Sequence, residues 1–160
     1  MNAITITAAR YDDLELLNQL MYDLHHEHHL NSPQFFKTAE EVEQEKSIAR
    51  YLDDPECLVF VARDEDQLVG MITGHFCELT SSVSKPLPMG SIDELYIRPE
   101  YRQKGVAKRL CQKLEQTFID YGVEQIFVEV WHFNESAQSL YHQLGFEPHI
   151  HWLRKAAGSR

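Results

Sequence analysis

Asp93-Glu94-Leu95-Tyr96-Ile97-Arg98-Pro99-Glu100-Tyr101-Arg102-Gln103-Lys104-Gly105-Val106-Ala107-Lys108-Arg109-Leu110 is the stretch from which the rest of the chain can be placed. It reads as a strand, a proline-marked stop, a basic loop with one glycine, and a helix whose apolar residues Val106, Leu110, Leu114 and Phe118 recur at every fourth position. The start of a helix leaves backbone N–H groups without partners and carries partial positive charge, so a strand feeding such a loop makes a cradle for phosphate. Gly105 lets backbone approach an anion closely, and Arg102, Lys104, Lys108 and Arg109 add positive charge. A phosphate-bearing ligand is expected.

Composition narrows the class of protein. With 160 residues, 43% of them hydrophobic, the chain supports one packed core, and the sequence reads as a single domain over 1–155 with a loose tail at 156–160. There is no run of about 18 apolar residues and no basic start leading into an apolar stretch, so neither a membrane span nor a signal peptide is expected, and the location expected is cytoplasmic. Cys57, Cys77 and Cys111 are odd in number and form no C-x-x-C pair, which disfavours a disulfide framework or a zinc site. A formal net charge of -10 disfavours nucleic acid and anionic membrane as partners, whereas the locally basic loop suits a polyanionic cofactor and the acidic remainder suits a cationic acceptor.

Outward from the central stretch, Ile4 and Ile6 alternate with threonines as a first strand, and Asp12 with Glu15 marks a helix running to about His29. That helix ends in His25-His26-Glu27-His28-His29, where His25 and His29 share a face; spacing identifies no third metal ligand, so no metal is expected. Thr38 with Glu41 starts a second helix expected to continue through Leu52. The apolar run 58–62 and its return at 68–77 form a hairpin around Asp64-Glu65-Asp66, and 81–90, with Pro86 and Pro88, reads as a loop. The main helix, 106–121, is stopped by Gly122. Ile126, Val128 and Val130 follow as a fifth strand, Asn134 starts a helix that ends at Gly145, and Ile150 and Trp152 suit a last strand. The order of elements is that of a mixed α/β domain.

Arg102-x-x-Gly105-x-Ala107, opening an amphipathic helix, resembles the acyl-CoA pyrophosphate loop of the GNAT superfamily of N-acetyltransferases. The later Val128-Glu129-Val130-Trp131-His132-Phe133-Asn134 and Leu140-Tyr141-His142-Gln143-Leu144-Gly145-Phe146 resemble that superfamily's fifth strand, its Asn-led helix, and its Tyr and Gly-Phe ending. The resemblance implies a mostly antiparallel mixed sheet whose fourth and fifth strands splay apart, flanked by about four helices. It also implies acetyl-CoA as cosubstrate. The pantetheine arm would lie along the backbone of Leu95, Tyr96 and Ile97, and the diphosphate on Arg102, Gln103, Lys104, Gly105, Val106 and Ala107; Asn134 would touch the cofactor arm. Homodimers are common in that superfamily, so a homodimer is compatible with the resemblance.

Acetyl transfer to an amine needs an uncharged nucleophile, a stabilised oxyanion and a proton for the departing thiolate. Alkyl amines resemble Lys, with a pKa of about 10.4, so a base must take a proton, directly or through water. Glu94 is the candidate; Asp93 points to the opposite face if the strand is regular, and a bulge would reverse that choice. Leu95 N–H is the nearest oxyanion donor. Tyr141 stands where many members of the superfamily carry the tyrosine that protonates sulfur, and His75 and His132 are reserve acid–base groups. The expected acceptor is a small-molecule amine or polyamine; the alternatives are a protein amino terminus or lysine, or a noncatalytic acyl-CoA sensor.

Overall fold

Val59, Phe60, Val61 and Ala62 are all buried, as an inner strand apolar on both faces requires. They form the middle of β2 (Cys57–Asp64), which lies between β1 (Ile4–Ala8) and β3 (Gln67–Leu79) in the computed structural model, where residues 3–158 are described. Residues 159 and 160 of the expected tail lie outside the described residues. The sheet continues through β4 (Leu87–Ile97) to β5 (Gln125–Val128) in the order β1-β2-β3-β4-β5. The first three pairings are antiparallel and β4 with β5 is parallel, so the sheet is mixed and mostly antiparallel.

Helices flank both faces of this sheet. On one face lie α1 (Leu14–Asn31), α2 (Ala39–Glu45) and α3 (Ile48–Asp53), where Leu17, Leu20, Met21 and Ile48 pack with Val59, Val61, Leu68, Met71 and Tyr96. The other face carries α4 (Val106–Asp120), whose Val106, Leu110, Leu114 and Phe118 are all buried, the four-residue repeat read from the sequence. Glycines make room for it: a Cβ on Gly90 would stand 2.6 Å from the Phe118 ring. The chain forms two compact units, residues 1–129 and 130–160. The second unit contains α5 (Glu135–Gln143), started by Asn134, whose Oδ1 accepts from Ala137 N–H at 3.1 Å.

The structure corrects several boundaries. Asp13, not Asp12, accepts from Arg10 N–H at 2.8 Å, and a short 3-10 turn, Tyr11–Asp13, precedes α1. Asp13 is also gripped by the Arg63 guanidinium at 2.9 and 2.5 Å, a tertiary contact that decides between the two acids. The helix expected from Thr38 to Leu52 is two helices. Its capping box forms as expected, but Lys46 is extended and the Ser47 hydroxyl accepts from Ala49 N–H, starting α3. β4 begins at Leu87 and takes in Pro88, while β5 ends at Val128, short of Val130. No strand forms at Ile150 and Trp152, which are 77% and 88% exposed. Among the described residues, no helix is long and apolar enough to cross a membrane.

Candidate active site

β4 is not regular where the two carboxylates stand. Glu94 pairs with Thr73 of β3 and Ile92 pairs with Gly74, so Asp93 is an extra residue, a β-bulge. The bulge changes which face the following side chains take. Gly90 faces Phe118 of α4, yet Tyr96, six residues on, packs on the α1 side with Leu17 and Met21. Without an inserted residue these two even-numbered positions would share a face. The expectation that Asp93 points away from Glu94 is therefore corrected: both carboxylates meet side chains from the α2–α3 segment.

Glu94 is 7% exposed and both its oxygens are engaged. Oε1 accepts from the Thr73 hydroxyl at 2.6 Å, whose oxygen in turn accepts from Glu94 N–H at 3.0 Å. Oε2 pairs with the Lys46 ammonium. Asp93 collects neutral and imidazole donors instead. Tyr51 O–H donates to Oδ2 at 2.9 Å, Ser91 O–H donates to Oδ1 at 2.8 Å, and His75 Nδ1 lies 2.6 Å from Oδ2. A carboxylate accepts only, so His75 Nδ1 carries a proton and donates it to Asp93. Burial, reinforced by Glu94 and Asp93, pushes the Tyr51 phenol far above its ordinary range, so it stays a donor.

The open edge of β4 lies next to this pair. β5 pairs with β4 only from Met89 to Ile92, and among the described residues no strand lies on that side of Leu95, Tyr96 or Ile97. Arg98 N–H donates to Val69 O, which sets the phase of the ladder: Tyr96 also faces β3, and the amides of Leu95 and Ile97 turn to the open edge. This divergence of the fourth and fifth strands is the splay anticipated from the sequence.

Beyond the strand, Gln103 and Gly105 both have positive φ, 62° and 81°, and Gly105 immediately precedes α4. No side chain caps this helix, and nothing lies within 4 Å of where a Gly105 Cβ would be. The space beside Gly105 is thus open, and the first helical amides of Val106 and Ala107 lack intrahelical partners. The basic side chains are used differently from the sequence expectation. Arg102 donates to Ile97 O at 2.8 Å and to Glu27 of α1 at 2.8 and 3.1 Å, and its guanidinium lies over the Tyr96 ring, whose O–H also donates to Glu27. Arg109 donates to Ile4 O, and the Lys104 ammonium lies over the Tyr101 ring. Arg102, Lys104 and Arg109 thus each have a partner within the chain.

In the second unit, Tyr141 is buried with its ring edge-to-face on Phe146, and Asn134 caps the same helix. His132 O accepts from Gln138 Nε2 at 2.7 Å. Between α1 and α2–α3 lies a cavity of about 320 Å³ lined by residues that include Asn18, His25, Glu43 and Lys46. His29 is occupied with Phe36 O at 2.9 Å. Lys46, Thr73, Tyr51 and Ser91 were not singled out by sequence reasoning. Lys46 alone left a trace, as the cation that follows the acidic run of Glu40, Glu41, Glu43 and Glu45.

The profile of the Acetyltransferase (GNAT) family matches residues 21–146. An acetyltransferase from Vibrio fischeri has a solved structure 56% identical to this chain, with a TM-score of 0.67, covering 79% of this chain and 96% of the other. The bovine (Bos taurus) thialysine N-epsilon-acetyltransferase is 32% identical over 54 residues, 34% of this chain and 32% of its own length, so the match spans about a third of that relative. The aminoglycoside N-acetyltransferase AAC(6')-Iy in complex with CoA is 20% identical, with a TM-score of 0.71 over 97% of this chain and 96% of the other, a likeness of fold.

Proposed function

Because the chain belongs to the acetyltransferase (GNAT) family, we propose that it moves an acetyl group from acetyl-CoA to the primary amine of a small molecule or polyamine, directly, in a ternary complex. The observation that carries this reading is Glu94: a buried carboxylate, one oxygen held by Thr73 and the other already on an alkylammonium, beside the unpaired edge of β4. In this reading Glu94 takes the amine's proton, and the Leu95 amide donates to the developing oxyanion. Leu95, Tyr96 and Ile97 hold the pantetheine arm by backbone pairing, the turn of 102–107 holds the diphosphate, and Asn134 contacts the cofactor arm. Tyr141 returns a proton to the thiolate. A thiolate, whose conjugate thiol has a pKa of about 8.5, is a weaker base than a phenolate, whose phenol has one of about 10, so that transfer is slightly uphill in water and eased where the thiolate is poorly solvated.

An acyl-enzyme has little support. Burial pushes the Cys111 thiol up to about 12, which leaves almost no thiolate at neutral pH. The names of the bovine thialysine and the aminoglycoside enzymes favour amine acceptors. The test is thiol release from acetyl-CoA across an amine panel, repeated on Glu94→Gln and Tyr141→Phe. Each substitution is expected to lower kcat by about 100-fold, the usual range for losing a general acid or base. Undiminished turnover in both would reject these roles, and CoA binding without turnover of any amine would favour the sensor.

A further inference from the structure

The cation that neutralises Glu94 is itself a primary amine, and its placement has chemical consequences. Lys46 stands in the extended link that breaks the second helical segment in two, between the last turn of α2 and Ser47, the cap of α3. From there its ammonium reaches the one Glu94 oxygen that Thr73 leaves open. Its side chain is 39% exposed, and it lines a cavity of about 320 Å³, large enough in volume for an added acetyl group.

We propose that Lys46 is a site of self-acetylation: its Nζ occupies on Glu94 the seat of an acceptor amine and takes the acetyl group of bound acetyl-CoA when no acceptor is present. The inference rests on the reading of Glu94 as the base of an acyl-CoA site. Glu94 removes one proton from the Lys46 ammonium, and the freed lone pair forms an N–C bond to the thioester carbonyl carbon. The tetrahedral adduct collapses with cleavage of the C–S bond. Of the three ammonium protons, one stays on the new amide, one goes to the departing CoA sulfur and one is carried off by Glu94. The product is a neutral Nε-acetyl side chain at position 46, a free thiol, and a Glu94 that has lost its counter-ion.

The experiment incubates the full chain with acetyl-CoA alone, follows intact mass, and maps the modified peptide. The expected result is one acetyl group on Lys46, added at a rate independent of protein concentration and slowed by an added acceptor amine. Exposed Lys37, Lys85 and Lys113 report simple chemical acetylation. Labelling of Lys46 is expected to exceed theirs and to fall by about 100-fold in Glu94→Gln, the loss expected of a base. Lys46→Arg, which keeps a cation but no acylable amine, should give no such product. Equal labelling of all four lysines, unchanged labelling in Glu94→Gln, or an unmodified Lys46 overturns the proposal. A CoA titration and the amine panel on the same sample separate the two readings. Coenzyme binding and amine turnover with Lys46 untouched sink this inference alone, whereas absent coenzyme affinity sinks the acetyltransferase reading with it.

Discussion

At the scale of single residues, Thr73 has an outsized part for a hydroxyl. Fully buried, it accepts from Glu94 N–H and donates to Glu94 Oε1, so it holds the backbone and the carboxylate together. Thr73→Val keeps the shape and strands both partners, at a cost of about 1–3 kcal/mol. A lowered urea midpoint and a lowered kcat are expected, with Thr73→Ser recovering most of both. His25 provides a second test. Burial, with Lys46 and His28 adding to it, pushes its imidazole down to about 4, while in the unfolded chain it titrates near 6.5. Between those values the unfolded chain holds a proton that the folded chain does not, so stability falls as pH drops from about 6.5 towards 4. His25→Gln should flatten that part of a plot of urea midpoint against pH; an unchanged slope would reject the assignment. Glu94 could be picked from the sequence because it precedes a recognisable strand-to-loop junction. Its partners could not, since Thr73 and Lys46 lie 21 and 48 positions away and only folding brings them near.

At the scale of elements, the turn before α4 makes a sharp prediction. Gly105 sits at a φ of 81° with nothing in the space a side chain would enter, so Gly105→Ala meets backbone strain and no clash. That strain costs about 1–2 kcal/mol. The protein should still fold, with a modestly lower urea midpoint. If the turn relaxes from its open shape, calorimetric titration should show CoA binding weaker by about tenfold, the factor that corresponds to 1.4 kcal/mol. Undiminished affinity would show that the turn does not hold the diphosphate. Local signals served well for α4, whose four-residue repeat and Gly122 stop both formed, and for the hairpin of β2 and β3. They failed where a helix signal was continuous but Ser47 competed as a cap, and at Ile150 and Trp152, whose strand-like alternation pairs with no strand. β-strands need partners, and propensity cannot supply one.

At the scale of the whole molecule, a net charge of -10 surrounds a site proposed to receive a cation. With acetyl-CoA saturating, kcat/KM for a cationic amine should fall on the order of tenfold between low salt and about 1 M salt, as screening shortens the reach of that field. A flat salt profile would confine the attraction to Glu94 and its neighbours. The arrangement of the sheet was legible because each strand carried its own pattern, and the splay followed from the resemblance; the phase change inside β4 was not, because a bulge leaves no mark in hydrophobicity. That single inserted residue divides one strand into two halves of opposite parity. Upstream, Gly90 answers to Phe118 and the packing of α4; downstream, Glu94 and Tyr96 answer to the opposite layer. Mutational drift can therefore tune the hydrophobic underside of the first half without re-aiming the acids of the second. Deleting Asp93 would restore plain alternation, with Ile92 opposite Gly74 and Glu94 opposite Thr73, so Glu94 would keep its aim and only the second acid, with its contacts to Tyr51, His75 and Ser91, would go.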